Sequence, residues 1–148
     1  MSEWIYTIGF SKKSLRKFIQ LLQEAGVTKL IDTRLNNTSQ LAGFAKKNDL
    51  KYILELVGID YAHESILAPT AEMLKNYKNK KITWENYEKT YLKLIEERDI
   101  LNQIFNHMSG ETICFLCSEN HPDHCHRRLL AEFVQRNSSK DIKIKHLV

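Results

Sequence analysis

A chain of 148 residues is long enough to bury a hydrophobic core without disulfide bonds or a structural metal, and it most simply forms one domain over residues 1–148. Its net charge of +4 comes from scattered lysines, which argues against a dedicated nucleic-acid-binding arm. No apolar run approaches the roughly 20 residues that cross a bilayer, and the N-terminus lacks a signal-peptide pattern. We therefore expect a cytoplasmic protein without membrane contact.

The first third of the chain has the pattern of a strand, a helix and a second strand. An apolar run at 4–8 predicts a buried strand, and apolar residues within 15–22 then recur at helical spacing. Ser11 is the candidate N-cap of that helix, and Gly26 is typical of the residue just past a helix C-terminus. The run at 29–34 predicts the second strand, so this unit indicates two parallel strands joined by a helix.

The rest of the chain continues this alternation. We predict helices at 41–47, 52–57, 70–77, 84–95 (continued by 100–108) and 123–136, and strands at 59–62, 111–117 and 142–146. Trp84, Tyr87 and Tyr91 share one face of the long helix, a spacing more typical of a core than of a base-stacking platform. Alternating strands and helices predict an α/β fold, a three-layer sandwich with a mainly parallel, Rossmann-like or flavodoxin-like sheet and helices on both faces.

The segment 113–128 carries most of the reactive side chains. It holds all three cysteines and three of the six histidines. It begins as a predicted strand and ends as a predicted helix, and open α/β sheets bind their ligands at the carboxyl ends of strands. Because the cysteines are odd in number and clustered, they do not suggest a secreted disulfide framework, and we expect reduced thiols. The sequence therefore predicts a site at this junction.

Short motifs in chain order resemble one protein family. They are Thr-Ile-Gly-Phe-Ser at 7–11, Ile-Asp-Thr-Arg at 31–34, Gly-Ile-Asp-Tyr at 58–61, the aromatic helix at 84–91, and Cys117, Glu119 and Cys125-His126-Arg127. Over nearly its whole length the chain resembles the bacterial and archaeal family called domain of unknown function 488. The resemblance implies an intracellular α/β fold with a site around these motifs, and it implies no substrate. Phe10 stands where many relatives have histidine, and the loop after Arg34 lacks a proline often found there.

The three cysteines differ in their predicted surroundings. Residues three apart in a strand point to opposite faces, so Cys114 should be a buried core residue and not a zinc or redox partner of Cys117. Cys125 lies near the start of the next helix, which Asp123 would cap. Unpaired amides at that helix start, with Arg127 nearby, favour the thiolate form of cysteine. Two small thiols packed beneath the helix are the structural alternative.

We favour a thiol-dependent enzyme, a hydrolase or transferase, that acts on an anionic small molecule or a nucleotide. Cys117 or Cys125 would be the nucleophile in this hypothesis. Glu119 or His126 would carry the proton. A strand–loop–helix that bears a cysteine and an arginine is similar to thiol phosphatases and sulfurtransferases, although the loop here is longer and lacks their glycine-rich cradle.

Four further side chains are predicted to bind the substrate. Asp32 and Arg34 lie two residues apart, on the same strand face, at the end where a parallel sheet opens its ligand crevice. A simple surface ion pair is the alternative explanation for these two residues. Arg127 would hold an anionic group, and Ser11 lies in a loop over the same crevice.

Metal binding is a second hypothesis for the same segment. Cys117 and Cys125, together with one or two of His121, His124 and His126, offer the sulfur and nitrogen ligands that zinc and iron accept. The segment has no second Cys-x-x-Cys or His-x-x-x-His partner, so such a site would be compact and open.

A third hypothesis is a binding module for a nucleotide or nucleic acid that performs no catalysis. Arg34, Arg127 and Arg128 would contact phosphates, and affinity would then fall steeply with salt. The sequence leaves the cofactor and the oligomeric state open.

Overall fold

The structure is a computed structural model that describes residues 3–35 and 46–148. Five strands and six helices follow one another along these residues. The strands are β1 (Glu3–Gly9), β2 (Lys29–Asp32), β3 (Asp60–His63), β4 (Ile113–Cys117) and β5 (Ile142–Leu147). The helices are α1 (Leu15–Glu24), α2 (Lys47–Leu56), α3 (Ala71–Lys78), α4 (Trp84–Glu97), α5 (Leu101–Met108) and α6 (His126–Arg136), and a 3₁₀ turn covers Ser65–Leu67.

The five strands form one sheet, and every pair in it is parallel. Their order is β3-β2-β4-β1-β5, so β4 lies between β1 and β2. Every residue of β4 is buried, as expected for the central strand of a parallel sheet that is covered on both faces. The sheet confirms the predicted three-layer α/β sandwich, whereas the pattern of apolar residues does not specify the order of the strands.

Helices cover both faces of the sheet. α1 and α2 pack on one face through completely buried phenylalanine and leucine side chains, and α3 to α6 pack on the other face around residues such as Tyr91. Side chains alternate along β4, so Cys114 enters the first core and Phe115 enters the second. Cys117, two residues beyond Phe115, therefore points toward the layer that contains α6.

The connections between strands place a crevice at the carboxyl end of β4. The chain runs from β1 to α1 on one face of the sheet, whereas it runs from β4 to α6 on the other face. Neighbouring strands whose connections leave in opposite directions open a crevice, and open α/β sheets bind ligands there. Because β4 pairs with both β1 and β2, the ends of these three strands border the crevice.

The first helix begins later than predicted. Its N-cap is Ser14, whose hydroxyl accepts a hydrogen bond from the Lys17 amide at 3.1 Å. Ser11 therefore does not cap this helix, and that prediction was wrong. Serine stabilises turns as well as helix starts, so the residue type cannot distinguish two serines within one turn of each other.

Two further boundaries also differ from the prediction. α6 begins at His126 with Cys125 as its N-cap, so Asp123 does not cap it. Asp99 adopts a φ of 51° and separates α4 from α5, which the sequence predicts as one continuous helix. The helix predicted at 41–47 lies largely outside the described residues. The longest described helix, α4, has 14 residues, and none of the described helices is long and apolar enough to cross a membrane.

Candidate functional site

Three strand ends meet at the crevice. β1 and β4 pair Gly9 with Cys117, and β2 and β4 pair Asp32 with Leu116. Just beyond β1, the Phe10 amide still donates to the Cys117 carbonyl at 3.3 Å. Side chains from separate sequence motifs are therefore brought to one edge of the sheet.

Cys117 and Cys125 are joined by a disulfide bond. Cys117 ends β4 and Cys125 is the N-cap of α6, so the strand end and the helix start bring the two sulfurs together. Both cysteines are nearly inaccessible, with 1% and 4% of their surfaces exposed. Cys114 is free and buried in the opposite core, where burial raises the pKa of its thiol. The alternation along the strand thus correctly identifies Cys114 as a core residue.

Arg127 lies directly behind Cys117 and is completely buried. Its Nη1 donates to the Cys117 Sγ at 2.9 Å and to the Glu119 carbonyl at 2.5 Å. Its Nη2 donates to the Asn120 carbonyl at 3.0 Å, and its Nε donates to the Thr7 hydroxyl at 3.2 Å. The guanidinium therefore orders the loop between β4 and α6 and brings a positive charge onto the sulfur.

The charge of Arg127 has no direct carboxylate partner among the described residues, since none of their ion pairs includes it. Burial lowers the pKa of this guanidinium to about 10, while the Cys114 thiol and the Glu119 carboxylate act in the opposite direction. The group therefore stays charged at pH 7. A buried cation that lacks a paired anion is unfavourable, so an anion formed beside it is stabilised.

His126 is held by Thr33, just past the end of β2. The Thr33 hydroxyl donates to the Leu116 carbonyl at 2.7 Å, so its oxygen can only accept from the imidazole. His126 Nε2 lies 2.9 Å from that oxygen and 2.9 Å from the Thr33 carbonyl, which assigns the proton to Nε2 and a lone pair to Nδ1. Burial lowers the pKa of His126 to about 4 although the Thr33 hydrogen bond opposes the shift, so the ring is neutral at pH 7. The Nδ1 lone pair is therefore free of a proton at pH 7, and the lowered pKa makes the ring a weak base.

Asp32 and Arg34 form a buried bidentate ion pair. Arg34 donates from Nε to one carboxylate oxygen and from Nη2 to the other, both at 2.8 Å, and the Tyr61 hydroxyl donates at 2.6 Å. Burial raises the pKa of Asp32, but the hydrogen bonds and charge of Arg34, with Tyr61, outweigh it and leave the pKa below its ordinary value. The Arg34 guanidinium carbon lies 5.3 Å from the centre of the Phe10 ring. This pair is therefore not a surface ion pair, and Asp32 orients Arg34.

A cavity of about 240 Å³ lies beside the disulfide. Five of the eight residues predicted for catalysis or substrate binding line it, namely Arg34, Cys117, Glu119, Cys125 and His126. Its other lining residues are Leu35, Pro69, Leu74, Tyr77, Tyr87, Ser118 and His124. Asp32 and Arg127 do not line the cavity and instead hold Arg34 and Cys117 from behind. The structure thus separates residues that face the cavity from residues that position them.

Ser11 and Gly9 connect the loop after β1 to the loop after β4. The amide and the hydroxyl of Ser11 both donate to the Ser118 carbonyl. A Cβ atom at Gly9 would overlap the Glu119 carbonyl, so a larger residue could not allow this close approach. Ser11 is therefore a support of the β4–α6 loop and not part of the cavity wall.

Three hydroxyl side chains that the sequence did not identify complete the site. The Thr7 hydroxyl accepts a hydrogen bond from Arg127. The Thr33 hydroxyl accepts one from the His126 imidazole, and the Tyr61 hydroxyl donates one to the Asp32 carboxylate. Each lies on or next to a strand, where threonine and tyrosine are common for reasons of packing alone. Their residue types carried no functional signal, and the signal available was that each lies within one of the short motifs behind the family resemblance.

Aromatic side chains from α3 and α4 form the far wall of the cavity. Tyr77 and Tyr87 line it, with ring centres 5.2 Å apart. Trp84 stacks on Tyr87 and on His124, with ring centres at 5.1 and 4.9 Å. The expectation that these aromatics belong to the core is confirmed for Tyr87 and Tyr91, which are buried. Helical spacing could not indicate that Tyr87 also faces a cavity.

The metal-binding hypothesis gains no support from the positions of the candidate ligands. Over residues 3–35 and 46–148, no three His, Cys, Asp or Glu side chains are grouped closely enough to hold an ion. The sulfurs of Cys117 and Cys125 bond each other, and the His126 Nε2 bonds Thr33. His124 stacks on an indole ring instead of turning to the sulfurs.

Comparison with known proteins gives a family and no activity. The family model described as Domain of unknown function DUF488 matches residues 14–134, which include both cysteines of the disulfide and all of the cavity wall. Neither the comparison with curated proteins nor the comparison with solved structures gave a match.

Proposed function

The chain belongs to the DUF488 family, whose description names no activity, and we propose that it is an enzyme that uses the thiol of Cys117 on a small anionic molecule. In this proposal the reaction takes place in the cavity between β4, α6 and the aromatic wall. The enzyme is a thiol-dependent hydrolase or transferase, and a cytoplasmic location would supply the reduced thiol it needs.

One observation carries the proposal, the contact between the Arg127 guanidinium and the Cys117 sulfur. The guanidinium is completely buried, and its described partners other than that sulfur are neutral oxygens. After reduction, a thiolate at Cys117 would be the counter-ion that this cation lacks. The thiolate is the nucleophilic form of cysteine, so the arrangement supports activation of Cys117.

The cavity lining supports an anionic substrate with an apolar or aromatic part. Arg34 is oriented by Asp32, and the amides at the N-terminus of α6 favour negative charge. Tyr77 and Tyr87 offer a surface for an apolar group or a ring. His126, with its Nδ1 lone pair, and Glu119 are the proposed proton carriers, so a nucleotide also fits this description.

Two alkylating reagents of similar size test this proposal. The variant Cys125→Ser keeps Cys117 free of the disulfide, and its reaction with anionic iodoacetate and neutral iodoacetamide is measured at pH 7. Relative to N-acetylcysteine, we expect the ratio of the two rates to favour iodoacetate by about tenfold, the effect of roughly 1.4 kcal/mol of charge-assisted binding. Cys114 remains unlabelled in the folded protein because it lies in the opposite core and does not line the cavity that Cys117 lines.

Two variants identify the source of the preference. The double variant Asp32→Asn, Arg34→Gln removes the ion pair without leaving a buried unpaired charge, and we expect it to reduce the iodoacetate preference. Arg136→Gln is the matched control, because Arg136 lies in the last turn of α6 and does not line the cavity. The proposed function would be wrong if alkylation of Cys117 were no faster than that of N-acetylcysteine and showed no preference for iodoacetate over iodoacetamide.

A further inference from the structure

We infer that Cys117 and Cys125 are the two thiols of a thiol–disulfide exchange reaction, and that the substrate is a small disulfide carrying negative charge. The inference rests on the proposed function of the same site and names its reaction. Cys117 is the attacking thiol, and Cys125 is the thiol that releases the product. The structure places the two sulfurs next to each other, as this exchange requires.

The position of both sulfurs supports this inference. They are bonded to each other, and both residues line the 240 Å³ cavity, so a molecule in the cavity meets both. Cys125 occupies the N-cap of α6, where serine, threonine, aspartate or asparagine usually caps the helix, and its side chain makes no cap hydrogen bond. The Cys125 side chain therefore does not cap the helix, and it contributes to the cavity wall instead.

Arg127 favours the reduced form of the pair. In the disulfide, the Cys117 sulfur is neutral and the buried guanidinium has no carboxylate partner among the described residues. Reduction produces a thiolate at 2.9 Å from Nη1, which restores an ion pair. Stabilisation of the reduced form makes a protein disulfide a stronger oxidant, so the pair is readily reduced by a small thiol.

The reaction balances without a further reactant. The Cys117 thiolate attacks one sulfur of the substrate, a mixed disulfide forms, and the other half of the substrate leaves as a thiolate that takes up a proton. The Cys125 sulfur, after losing its proton, attacks Cys117 and forms the Cys117–Cys125 bond, and the second half of the substrate leaves with the electron pair and gains a proton. The substrate is reduced to two thiols while the two cysteines are oxidised, and two small thiols reverse the reaction.

The size and lining of the cavity indicate the substrate class. A volume of about 240 Å³ equals the share of about eight water molecules, so a peroxide of two oxygen atoms would leave most of it empty. The aromatic wall of Tyr77 and Tyr87 suits methylene groups and sulfur. Arg34 and the start of α6 favour a carboxylate on the substrate. A small disulfide with acidic ends satisfies all three conditions.

Three small linear disulfides of different charge test the inference. Reduced wild-type protein is mixed with dithiodipropionate, which is anionic, with 2-hydroxyethyl disulfide, which is neutral, or with cystamine, which is cationic. Because Arg127 favours the reduced pair, each small disulfide is supplied in large excess, and we then expect oxidation of Cys117 and Cys125 to their disulfide, fastest with the anion and slowest with the cation, with release of two small thiols per protein. Hydrogen peroxide, at the same concentration, should react more slowly than the anionic disulfide.

Variants separate failure of this inference from failure of the proposed function. Cys125→Ser should stop at a mixed disulfide on Cys117 and release one small thiol, whereas Cys114→Ala should behave as wild type. Arg127→Gln, if folded, should make the protein disulfide about ten- to a hundredfold harder to reduce, the range for a lost hydrogen bond to a charged group. If wild type also stops at the mixed disulfide while Cys117 alkylates with anion preference, the exchange inference is wrong and the proposed function stands. If Cys117 reacts with neither type of reagent, both are wrong.

Discussion

Asp32 and Arg127 are two buried charged side chains whose charges are compensated in different ways. Asp32 has the Arg34 guanidinium and the Tyr61 hydroxyl as donors, so its negative charge is matched inside the protein. Arg127 is surrounded by carbonyl and hydroxyl oxygens and by the Cys117 sulfur. The first arrangement orients a cation at the cavity wall, whereas the second leaves a place for a negative charge on sulfur.

Replacement of Asp32 tests the first arrangement. Asp32→Asn breaks the buried ion pair with Arg34, and we expect a loss of about 3–5 kcal/mol in the free energy of unfolding at pH 7. Because the pKa of Asp32 lies below its unfolded value, the carboxylate stabilises the fold above about pH 4 and this stability is lost as the pH falls through the folded pKa. Urea unfolding at pH 7 and pH 3 should show the gap between wild type and variant narrowing in acid. A constant gap would contradict the ion-pair explanation.

His126 should contribute a separate dependence on pH. Its pKa of about 4 lies below the unfolded value of about 6.5, so only the unfolded chain takes up this proton between those pH values. Because the folded protein holds His126 neutral, its contribution to the free energy of unfolding is complete above about pH 6.5. This contribution is lost as the pH falls towards 4, by up to about 1.4 kcal/mol per pH unit. His126→Gln can keep a donor near Thr33 and should flatten this slope in urea unfolding. Equal slopes in both proteins would show that His126 titrates normally.

The β4–α6 loop is the element that assembles the site. It starts at Cys117 and ends at Cys125, and its carbonyls at Glu119 and Asn120 accept from Arg127. From the other side the loop after β1 binds it through Ser11. The loop is therefore positioned by contacts from two other elements and not by its own regular structure.

Gly9→Ala tests how closely the two loops must approach. The added methyl group would meet the Glu119 carbonyl, and we expect a loss of about 1–3 kcal/mol in the free energy of unfolding. We also expect slower alkylation of Cys117, because the displaced carbonyl no longer holds Arg127. Gly58→Ala is the matched control, since its φ of 76° strains an alanine in open space at a position that does not line the cavity. The control should lose stability and keep the alkylation rate. Unchanged stability in Gly9→Ala would show that the loop is placed differently.

On the scale of the whole molecule, the site exists because of the order of the strands. β4 is inserted between β1 and β2, and its connection leaves on the opposite face from theirs. Residues from motifs that are more than eighty positions apart, such as Thr33 and Leu116, thereby become neighbours. The same arrangement buries Arg127 at the carboxyl ends of the strands, where water cannot solvate its positive charge.

Oxidation state should therefore change the stability of the whole fold. An ordinary structural disulfide stabilises a protein by about 2–4 kcal/mol, so its reduction lowers the Tm. If Arg127 stabilises the dithiol form of the folded protein, reduction should not lower the stability of the fold. We therefore expect the reduced protein to have a Tm equal to or higher than that of the oxidised protein in calorimetry. Cys125→Ser, measured with and without reductant, controls for effects of the reductant itself. A clearly lower Tm on reduction would indicate a structural disulfide.

The sequence by itself determined the local features of this protein. Apolar runs and helical spacings gave the strands, most helices and the three-layer class, because burial on a sheet face or helix face imposes a period on the residues. The alternation along β4 also placed Cys114 in the core and Cys117 on the other face. The motif residues Arg34, Cys117, Glu119, Cys125 and His126, named from the sequence, line one cavity, and their roles there stay a prediction.

Only the tertiary structure decided what these residues contact. The cap at Ser14, the break at Asp99 and the supports Thr33 and Tyr61 depend on contacts that residue type does not encode. The division between cavity-lining and positioning residues arises because strands distant in sequence pair side by side, which the strand order sets and the local pattern does not. The tertiary structure also decided the pairing of Cys117 with Cys125, because this pairing requires a strand end and a helix start to meet in space.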